Sequence, residues 1–366
     1  MVGRKRDGLL IAGGGLSGCL AAIAIATKRP DVPVLLVEEG ERFGGQQSWS
    51  FFDTDIEDED RWLVDPLIVN RWPGYYVAFP GHSRKFRTGY SSLRSEELDA
   101  HVRAVLRPEQ YRLGTRIAAV REREIVLTDG ETIKADGAID ARGAANLSML
   151  ELGWRKFVGR DYVFERPHGL DLPVAIDATV GQGDGYRFVS CLPLDEHRIL
   201  VGDHSYATAP DLGVEAVGAR LDAYVAKRRW APGEVVREES GVLPVPIGGD
   251  FDAFLRIGGA RVAKLGLRGG LFHPTTGHAL PDAVRTAAIL AQQPKFDGAA
   301  LHDLFAAHSA KLWKQRSFYR SFNPSLLRAG GGKAMDQLHR LQGSLIERFF
   351  AGRSTALDRM RIARGG

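Results

Sequence analysis

The sequence predicts a mixed α/β protein with two coupled domains, and three observations carry that prediction. An apolar stretch at residues 9–12 runs into a glycine-rich turn and an alanine-rich helical stretch. Short alternating apolar patterns recur between residues 117 and 246, as in antiparallel strands. Beyond residue 283 the apolar positions recur at helical spacing. A chain of 366 residues with 44% hydrophobic residues can bury two cores.

The glycine turn is the most informative motif. Gly13, Gly15 and Gly18 fit a G-x-G-x-x-G spacing, with Leu16 and Ser17 between the last two glycines. Such glycines permit the tight turn, the close approach of a pyrophosphate, and packing of helix on strand. The phosphates then lie on the free N–H groups at the helix N-terminus. We therefore predict that residues 13 and 15–18 form a dinucleotide phosphate site.

The next apolar run, at residues 34–37, ends in Glu38, twenty positions after Gly18. A carboxylate at this place in a Rossmann-type unit accepts hydrogen bonds from a ribose, and it favours FAD or NAD over NADP. A glycine-rich loop alone is weak support for a nucleotide site. The complete order of strand, turn, helix, strand and acid favours dinucleotide binding.

Two later segments are expected beside the same ligand. Gly45 and Gln46 belong to a glycine- and aromatic-rich stretch, residues 44–52, which reads as a loop over a ligand. The acidic stretch 53–60 that follows reads as surface structure. After a β-meander at 117–139, a short strand ends at Asp140 and Gly143. A strand that returns to the first sheet at this point is typical of FAD enzymes.

The predicted domains follow from these patterns. Residues 1–156 with 257–295 form the cofactor domain, residues 157–256 form an antiparallel substrate domain, and residues 296–366 form a helical region. No His or Cys cluster has metal-ligand spacing, so no metal site is expected. Cys19 and Cys191 provide no disulfide framework, which fits a reducing compartment.

Charge and hydropathy indicate a protein that is soluble or lies on a membrane. No run approaches the roughly 18 apolar residues of a membrane span, and no signal peptide is recognised, so we expect a cytoplasmic location. The net charge is +4. The C-terminal region is rich in basic residues. Such a region can bind an anionic membrane surface or a nucleic acid, or can simply be a solvated helical face. No nucleic-acid motif supports nucleic-acid binding. These residues are Lys311, Lys314, Arg316, Arg320, Arg328, Lys333, Arg340, Arg348, Arg353, Arg359, Arg361 and Arg364.

The chain closely resembles the bacterial lycopene β-cyclases of carotenoid synthesis. The resemblance rests on GGLFHPTTG at residues 269–277, together with PHG at 167–169, DAT at 177–179, GYRF at 185–188 and IERFFAGR at 346–353. It runs from the glycine turn almost to the last residue. It implies an FAD-binding fold of the p-hydroxybenzoate hydroxylase type, with His273, Pro274, Thr276 and Gly277 among the residues around the flavin.

The resemblance also implies an activity and its setting. Reduced FAD, with NAD(P)H as electron source, supports the cyclisation of lycopene or a related apolar carotenoid without net redox change. The enzyme is expected to lie peripherally on the inner face of the cell membrane. An alkene must be protonated, so a strong, desolvated acid is required, and the cation that forms needs stabilisation.

The proposed acid of the family is a glutamate at the end of the strand that contains residues 199–201, and this chain has Gly202 there. Three alternatives remain at this point. Asp203 acts as a weaker acid if a β-bulge at Gly202 turns it inward, since neighbours on a regular strand face opposite ways. His204 is the second candidate acid, because it lies two positions after Gly202 and so faces the same side of a regular strand. Otherwise the site is altered or inactive.

Other departures from the family pattern fall in the same region. Gln46 and Gln47 replace an asparagine and a histidine, and His278 replaces a tyrosine. A redox flavoenzyme acting on a prenyl or aromatic substrate, and a flavin-binding relative without activity, are therefore the alternatives to a cyclase. Turnover-coupled consumption of NAD(P)H separates the redox enzyme from the other two.

Overall fold

The computed structural model of the chain describes residues 8–144, 146–230 and 233–364. Across these ranges the strands, in chain order, are β1 (Leu9–Ala12), β2 (Val34–Val37), β3 (Ser48–Phe52), β4 (Ile68–Trp72), β5 (Tyr75–Phe79), β6 (His82–Phe86), β7 (Tyr90–Arg94), β8 (Tyr111–Arg112), β9 (Ile117–Arg121), β10 (Glu124–Leu127), β11 (Thr132–Lys134), β12 (Gly137–Asp140), β13 (Leu150–Phe164), β14 (Val174–Asp177), β15 (Arg187–Pro193), β16 (Arg198–Ala207), β17 (Gly233–Gly249) and β18 (Ala263–Lys264). The α-helices are α1 (Leu16–Lys28), α2 (Ser95–Val105), α3 (Val214–Lys227), α4 (Phe251–Arg256), α5 (Leu280–Ala291), α6 (Gly298–Gln315), α7 (Ser317–Phe322), α8 (Gly332–Arg340), α9 (Gly343–Phe350) and α10 (Ala356–Arg364).

A five-stranded parallel sheet carries the glycine turn. Its order is β18-β12-β1-β2-β8, so the strand that ends at Asp140 returns beside β1 as the sequence predicts. Leu9 and Ile11 point into the core formed with α1 and α5. Leu10 and Ala12 point to the other face, which the meander β9-β10-β11 covers. Both faces are buried, which explains why this strand is apolar without alternation.

The β-meander predicted at residues 117–139 is confirmed as the sheet β9-β10-β11. Strands β10 and β11 pair antiparallel, and the turn between them places Gly130 at φ +90°. Glycine adopts this left-handed conformation without the steric cost that a Cβ brings. Helix α2 begins at Ser95 and buries Leu98 and Val102.

A seven-stranded sheet forms the second layer, in the order β17-β13-β16-β15-β14-β5-β6. Its pairs are antiparallel except β14 with β5. The boundary predicted between residues 156 and 157 falls inside β13, which runs from Leu150 to Phe164. Strands β5 and β6, within the first predicted domain, also belong to this sheet. The chain thus crosses between the two layers more often than a division into consecutive segments allows.

Residues 48–52 are a strand rather than part of a loop. β3 pairs with β7, which also pairs with β4, in a small antiparallel sheet. Only the preceding residues 44–47 remain irregular. The aromatic side chains of this segment are therefore held by a paired strand.

The C-terminal helices do not form a separate unit. Phe296, Leu301 and Phe305 pack in the core of the parallel sheet. Helices α7 to α10 instead contribute to the core beneath the seven-stranded sheet, with Tyr319 and Phe349 fully buried there. No helix among the described residues is both long and apolar enough to cross a bilayer.

Candidate functional site

One cavity of about 850 Å³ lies between the two layers. It extends from the glycine turn of β1-α1 to an aromatic chamber beneath the seven-stranded sheet. The chamber is lined by Trp49, Phe52, Tyr75, Tyr90, Phe157, Tyr186, Phe188, Tyr206, Met335 and Phe350. A polar entrance region and an apolar chamber therefore share one continuous space.

The glycine turn has the geometry that a pyrophosphate site requires. Gly13 has φ +100°, and a Cβ there would lie 2.7 Å from the backbone of Ala141. A Cβ on Gly18 would lie 1.9 Å from the carbonyl oxygen of Gly13, so this glycine packs helix on turn without lining the cavity. A Cβ on Gly15 would meet nothing within 4 Å, and Gly15, Leu16 and Ser17 line the cavity. The N-terminus of α1 thus opens onto free space.

Glu38 lies at the end of β2 and lines the same cavity. Its Oε2 accepts a hydrogen bond from the N–H of Gly14 at 2.5 Å, and its Oε1 accepts one from the N–H of Gly40 at 2.8 Å. Each carboxylate oxygen can accept a second hydrogen bond. Glu38 is therefore held in place by the backbone with capacity left for a ribose.

Asp140 does not lie where the sequence suggested. It is fully buried outside the cavity lining, and its carboxylate receives Arg142 through Nε at 2.9 Å and Nη2 at 2.8 Å. Arg268 Nε lies 3.1 Å from the same carboxylate. The prediction of Asp140 as a cofactor contact is corrected on this ground, since its oxygens are taken by two guanidinium groups. Arg142 and Gly143 themselves line the cavity.

Gly45 and Gln46 do line the cavity, on the segment before β3. Gly45 has φ +69° and free space around its Cα, so the chain can approach a ligand there. The carbonyl oxygen of Gln46 accepts a hydrogen bond from Arg237 Nη2 at 2.9 Å. That arginine anchors this segment to β17.

The segment after β18 forms a compact loop stabilised by His273. Its Nδ1 accepts hydrogen bonds from the N–H groups of Thr275 and Thr276 at 3.2 and 3.3 Å, so the proton is on Nε2, which donates to the carbonyl of Phe349 at 2.9 Å. Burial lowers the pKa of His273 to about 3. His273, Thr276 and Gly277 line the cavity, whereas Pro274 does not and instead accepts a hydrogen bond from Asn323 through its carbonyl.

Arg155 brings three parts of the cavity together. From β13 it donates to the carbonyl of Thr276 at 2.7 Å, to His278 Nε2 at 2.7 Å and to His204 Nδ1 at 3.2 Å. Since arginine only donates, both imidazole nitrogens must accept. His204 then carries its proton on Nε2, which faces Ser190 Oγ at 3.0 Å.

His204 is therefore neutral. Burial, the charge of Arg155 and the neighbouring His278 all lower its pKa well below the usual value. Burial and Arg155 likewise lower the pKa of His278. The prediction that His204 serves as an imidazolium acid is corrected, because its Nδ1 accepts from a fixed cation.

The β-bulge considered at Gly202 is absent from the strand pairing. Gly202 pairs in register with Gly159 on one side and Ser190 on the other. All three face the cavity, so the next residue, Asp203, faces away. Its buried carboxylate binds Arg187 Nη2 at 2.7 Å and Arg220 Nε at 3.0 Å. Asp203 is thus corrected from candidate acid to partner of two arginines on the far face of the sheet.

Besides Glu38, three carboxyl groups line the cavity that no sequence motif indicates, on Glu39, Asp55 and Glu239. Glu239 of β17 pairs with Gly159 and binds Arg237 at 2.8 Å. Asp55 lies in a short 3-10 turn directly after β3 and is 6% exposed. Asp55 belongs to the acidic stretch 53–60, whose composition is that of a surface segment. Nothing in the sequence separates it from its acidic neighbours, and only the structure shows that it is buried.

The mixed α/β fold, with its parallel sheet and seven-stranded second layer, places the chain in one structural class with several solved structures. Among solved structures it is similar to a geranylgeranyl bacteriochlorophyll reductase-like protein from Thermoplasma acidophilum, at 16% identity and TM-score 0.64, over 99% of this chain and 96% of that one. It is also similar to a flavin-dependent brominase, at 14% identity and TM-score 0.63, over 99% and 97% of the two chains.

Sequence comparison identifies the family within that class. The model of the family described as lycopene cyclase protein matches residues 8–365. The chain is 36% identical to the lycopene beta-cyclase of Pantoea ananas over 98% of this chain and 94% of that protein. It is 35% identical to the lycopene beta-cyclase of a Paracoccus strain over 98% and 93%. The chain belongs to the lycopene cyclase family.

Proposed function

We propose that the chain is a flavin-dependent lycopene β-cyclase that closes the acyclic ends of lycopene to β-rings without net redox change. The observation that supports this most directly is the single cavity of about 850 Å³ that joins the glycine turn to an aromatic chamber. A cyclase needs a cofactor and an apolar end group in one water-poor space, and family membership supports the same activity.

The residues of the cavity fit FAD. The N-terminus of α1 offers N–H groups to a pyrophosphate, and Gly15 leaves room for it. Glu38 lines the same cavity, and its carboxylate would accept a hydrogen bond from a ribose hydroxyl. Gly45, Gly143 and the 273–277 loop provide further walls. When bound, reduced FAD would supply negative charge that stabilises the cation formed on the substrate, and NAD(P)H would supply its electrons.

The chamber residues position the end group and exclude water. Phe157 and Phe188 flank His204, with ring centroids 5.8 and 4.7 Å from the imidazole. Aromatic faces attract a carbocation as they attract other cations, by roughly 0.5–2 kcal/mol each. Arg155 keeps His204 and His278 neutral, so its guanidinium is the one positive charge that these three cavity side chains carry.

We also propose that the protein lies peripherally on the inner face of the cell membrane, where its apolar substrate is dissolved. Helix α10 presents Leu357 and Met360, which are 50% and 49% exposed. Exposed basic residues accompany them, whereas Arg316, which the sequence placed among these, is buried against Asp282. The exposed members without an ion pair among the described residues are Lys311, Lys314, Arg328, Lys333, Arg361 and Arg364.

The activity is tested by anaerobic incubation of the protein with pre-reduced FAD and lycopene in liposomes, followed by pigment chromatography. We expect γ-carotene and β-carotene. Recovery of unchanged lycopene, under conditions in which a related cyclase converts it, contradicts the proposal. Formation of an oxygenated product would instead indicate a redox enzyme.

A further inference from the structure

We propose that Asp55 is the proton donor of the cyclisation, taking the place of the glutamate that this chain lacks at Gly202. The inference rests on the proposed cyclase activity. It assigns to the aromatic chamber a carboxylic acid that reaches the substrate from the turn after β3 instead of from the end of β16.

The Asp55 side chain is buried at the wall of the cavity. It lines the cavity although only 6% of its surface is exposed. Its Oδ2 accepts a hydrogen bond from the N–H of Phe52 at 2.9 Å, which fixes the carboxyl group on the turn after β3. Its Oδ1 is buried and has no hydrogen-bond partner among the described residues. A buried oxygen without a partner is costly as a carboxylate, and protonation of the group relieves that cost.

Aromatic side chains surround the turn that carries Asp55. Phe52 lies 4.8 Å from Tyr75, 4.9 Å from Tyr90 and 5.7 Å from Phe350, measured between ring centroids. All four side chains line the cavity. A proton donor next to several aromatic faces combines the two requirements of alkene protonation, an acid without water and a surface that stabilises a carbocation.

Asp55 has no cationic partner among the described residues. Within the part of the chain that the structure describes, no basic group lies at ion-pair distance from Asp55. Arg285 and Arg353 act on it only from farther away, and each binds its own carboxylate, on Asp282 and Glu57. Asp53 opposes ionisation from the same turn.

Charges on the elements packed against this turn complete its environment. Helix α9 contributes Glu347, which accepts a hydrogen bond from Thr88, and Arg348, which binds Asp358. Tyr75 and Tyr90 are both held neutral by burial, which raises their pKa values. Burial dominates at Asp55 and raises its pKa to about 7.

The other cavity carboxylates are less suited to the task. Burial raises the pKa of Glu239, but Arg237 lies 2.8 Å from this carboxylate and favours its ionised form. Glu38 accepts two backbone hydrogen bonds at the opposite end of the cavity, beside the glycine turn. Asp55 is the one carboxyl group described in the cavity that combines an unpartnered oxygen with an aromatic surround.

The step balances without a redox partner. The O–H bond of Asp55 breaks, and its proton adds to the less substituted carbon of the terminal double bond, leaving a cation on the other carbon. The next double bond attacks that cation and forms the ring. One proton then leaves the ring to the Asp55 carboxylate or to water, so that neither protons nor electrons are consumed overall.

The test compares Asp55→Asn with the parent protein and with Asp53→Asn. In Asp55→Asn the new amide oxygen can still accept the hydrogen bond from Phe52, so the turn is kept while the acidic proton is lost. Asp53 is on the same turn but is partly exposed near Arg61. With reduced FAD and lycopene liposomes, we expect Asp55→Asn to lower the cyclisation rate by about 10²–10⁴. Asp53→Asn should stay within about threefold of the parent, because Asp53 contributes only the smallest of the effects on Asp55. Asp55→Glu should recover part of the rate.

A pH profile separates a proton donor from a structural role. The parent rate should fall as pH rises through about 7, where Asp55 loses its proton. The residual rate of Asp55→Asn should not fall over this pH range. Flavin binding and circular dichroism confirm that the variants are folded. Equal rates for parent and folded Asp55→Asn, or loss of activity in Glu239→Gln alone, would overturn the assignment. If the parent itself converts no lycopene, the proposed function fails first and this inference fails with it.

Discussion

Asp55 links the ionisation of one side chain to the stability of the whole fold. Its pKa is about 7 in the folded protein against 3.8 for an ordinary aspartate, so the unfolded chain loses this proton at lower pH. Stability is therefore lost as pH rises from about 4 to 7, by about 4 kcal/mol at most. Asp55→Asn removes that loss.

We expect Asp55→Asn to be as stable as the parent at pH 4 and more stable at pH 8. Urea unfolding at the two pH values measures the difference. Asp53→Asn serves as the control, with no comparable change expected between the two values. If Asp55→Asn is no more stable than the parent at pH 8, ionisation of Asp55 costs the folded protein no stability, which contradicts the buried environment described for it.

Gly202 is a second residue with a measurable consequence. A Cβ there would lie 2.8 Å from His204 Nε2 and 2.9 Å from Ser190 Oγ. Gly202→Ala should therefore break the hydrogen bond between those side chains and lower the free energy of unfolding by about 1–3 kcal/mol. Gly183→Ala, where a Cβ meets nothing within 4 Å, is the control. Equal stability of both variants in urea would contradict the crowding described.

Residues at the cavity show what the sequence could and could not reveal. The spacing of Gly13, Gly15 and Gly18 predicts their surroundings, because a tight turn and a close helix leave few alternatives. The acid was not predictable in the same way. Whether Asp203 faces inward depends on the register of β16. The burial of Asp55 depends on the sheet that β3 forms with β7 and β4, two strands that are distant from it in sequence.

The first β-α-β element gives a direct test of cofactor binding. Glu38 is held by the N–H groups of Gly14 and Gly40 at the edge of the cavity. Glu38→Lys places a cation there and removes the acceptor for a ribose, so FAD affinity should fall at least tenfold. Glu97→Lys, an equal change of charge on an exposed position of α2, should bind normally. Equilibrium flavin fluorescence titration measures both, and unchanged affinity of Glu38→Lys would exclude Glu38 as a ligand.

A buried ion pair joins α5 to Arg316, the residue that follows α6, and also stabilises the 273–277 loop. Arg316 Nη1 lies 2.6 Å from Asp282 Oδ2 and donates to the carbonyl of Phe272 at 3.1 Å. Burial alone would raise the pKa of Asp282, but the neighbouring cations, led by Arg316, outweigh it and lower that pKa to about 2. The stability this provides is present above pH 4 and is lost as pH falls toward 2.

Arg316→Met should lower the free energy of unfolding at pH 7 by about 3–5 kcal/mol, because Asp282 is left buried with one cation fewer. The midpoint of acid unfolding should also rise to higher pH. Arg340→Met breaks an exposed pair with Asp336 and should cost less than about 0.5 kcal/mol. If the two variants lose similar stability, the Arg316 pair contributes no more than a surface pair.

Element boundaries could be predicted only where local chemistry sets them. The turn at Gly130 and the start of α2 at Ser95 follow from residues adjacent in sequence. Strand β13 crosses the boundary predicted at residue 156. Its length is set by pairing with β16 and β17, which are remote from it in the chain, so local sequence does not reveal it. Long-range pairing decided the extent of that strand.

At the scale of the whole molecule, the exposed basic residues and α10 should hold the protein on anionic membranes. Each basic residue near such a surface contributes about 1 kcal/mol, and salt screens the attraction. Sedimentation with vesicles that contain phosphatidylglycerol should show binding at low salt that falls as salt rises. Replacing Leu357 and Met360 by serine should weaken binding further. Binding that does not depend on anionic lipid would contradict this account.

The central claim is that one cavity uses reduced flavin for a cyclisation that consumes no electrons. The most direct measurement is the number of rings formed per pair of electrons supplied, in anaerobic D₂O with a limiting amount of NADH and lycopene in liposomes. We predict many rings for each pair of electrons, each newly closed ring carrying one solvent deuterium at the protonated carbon. One product per pair of electrons, or rings without deuterium, would contradict the account.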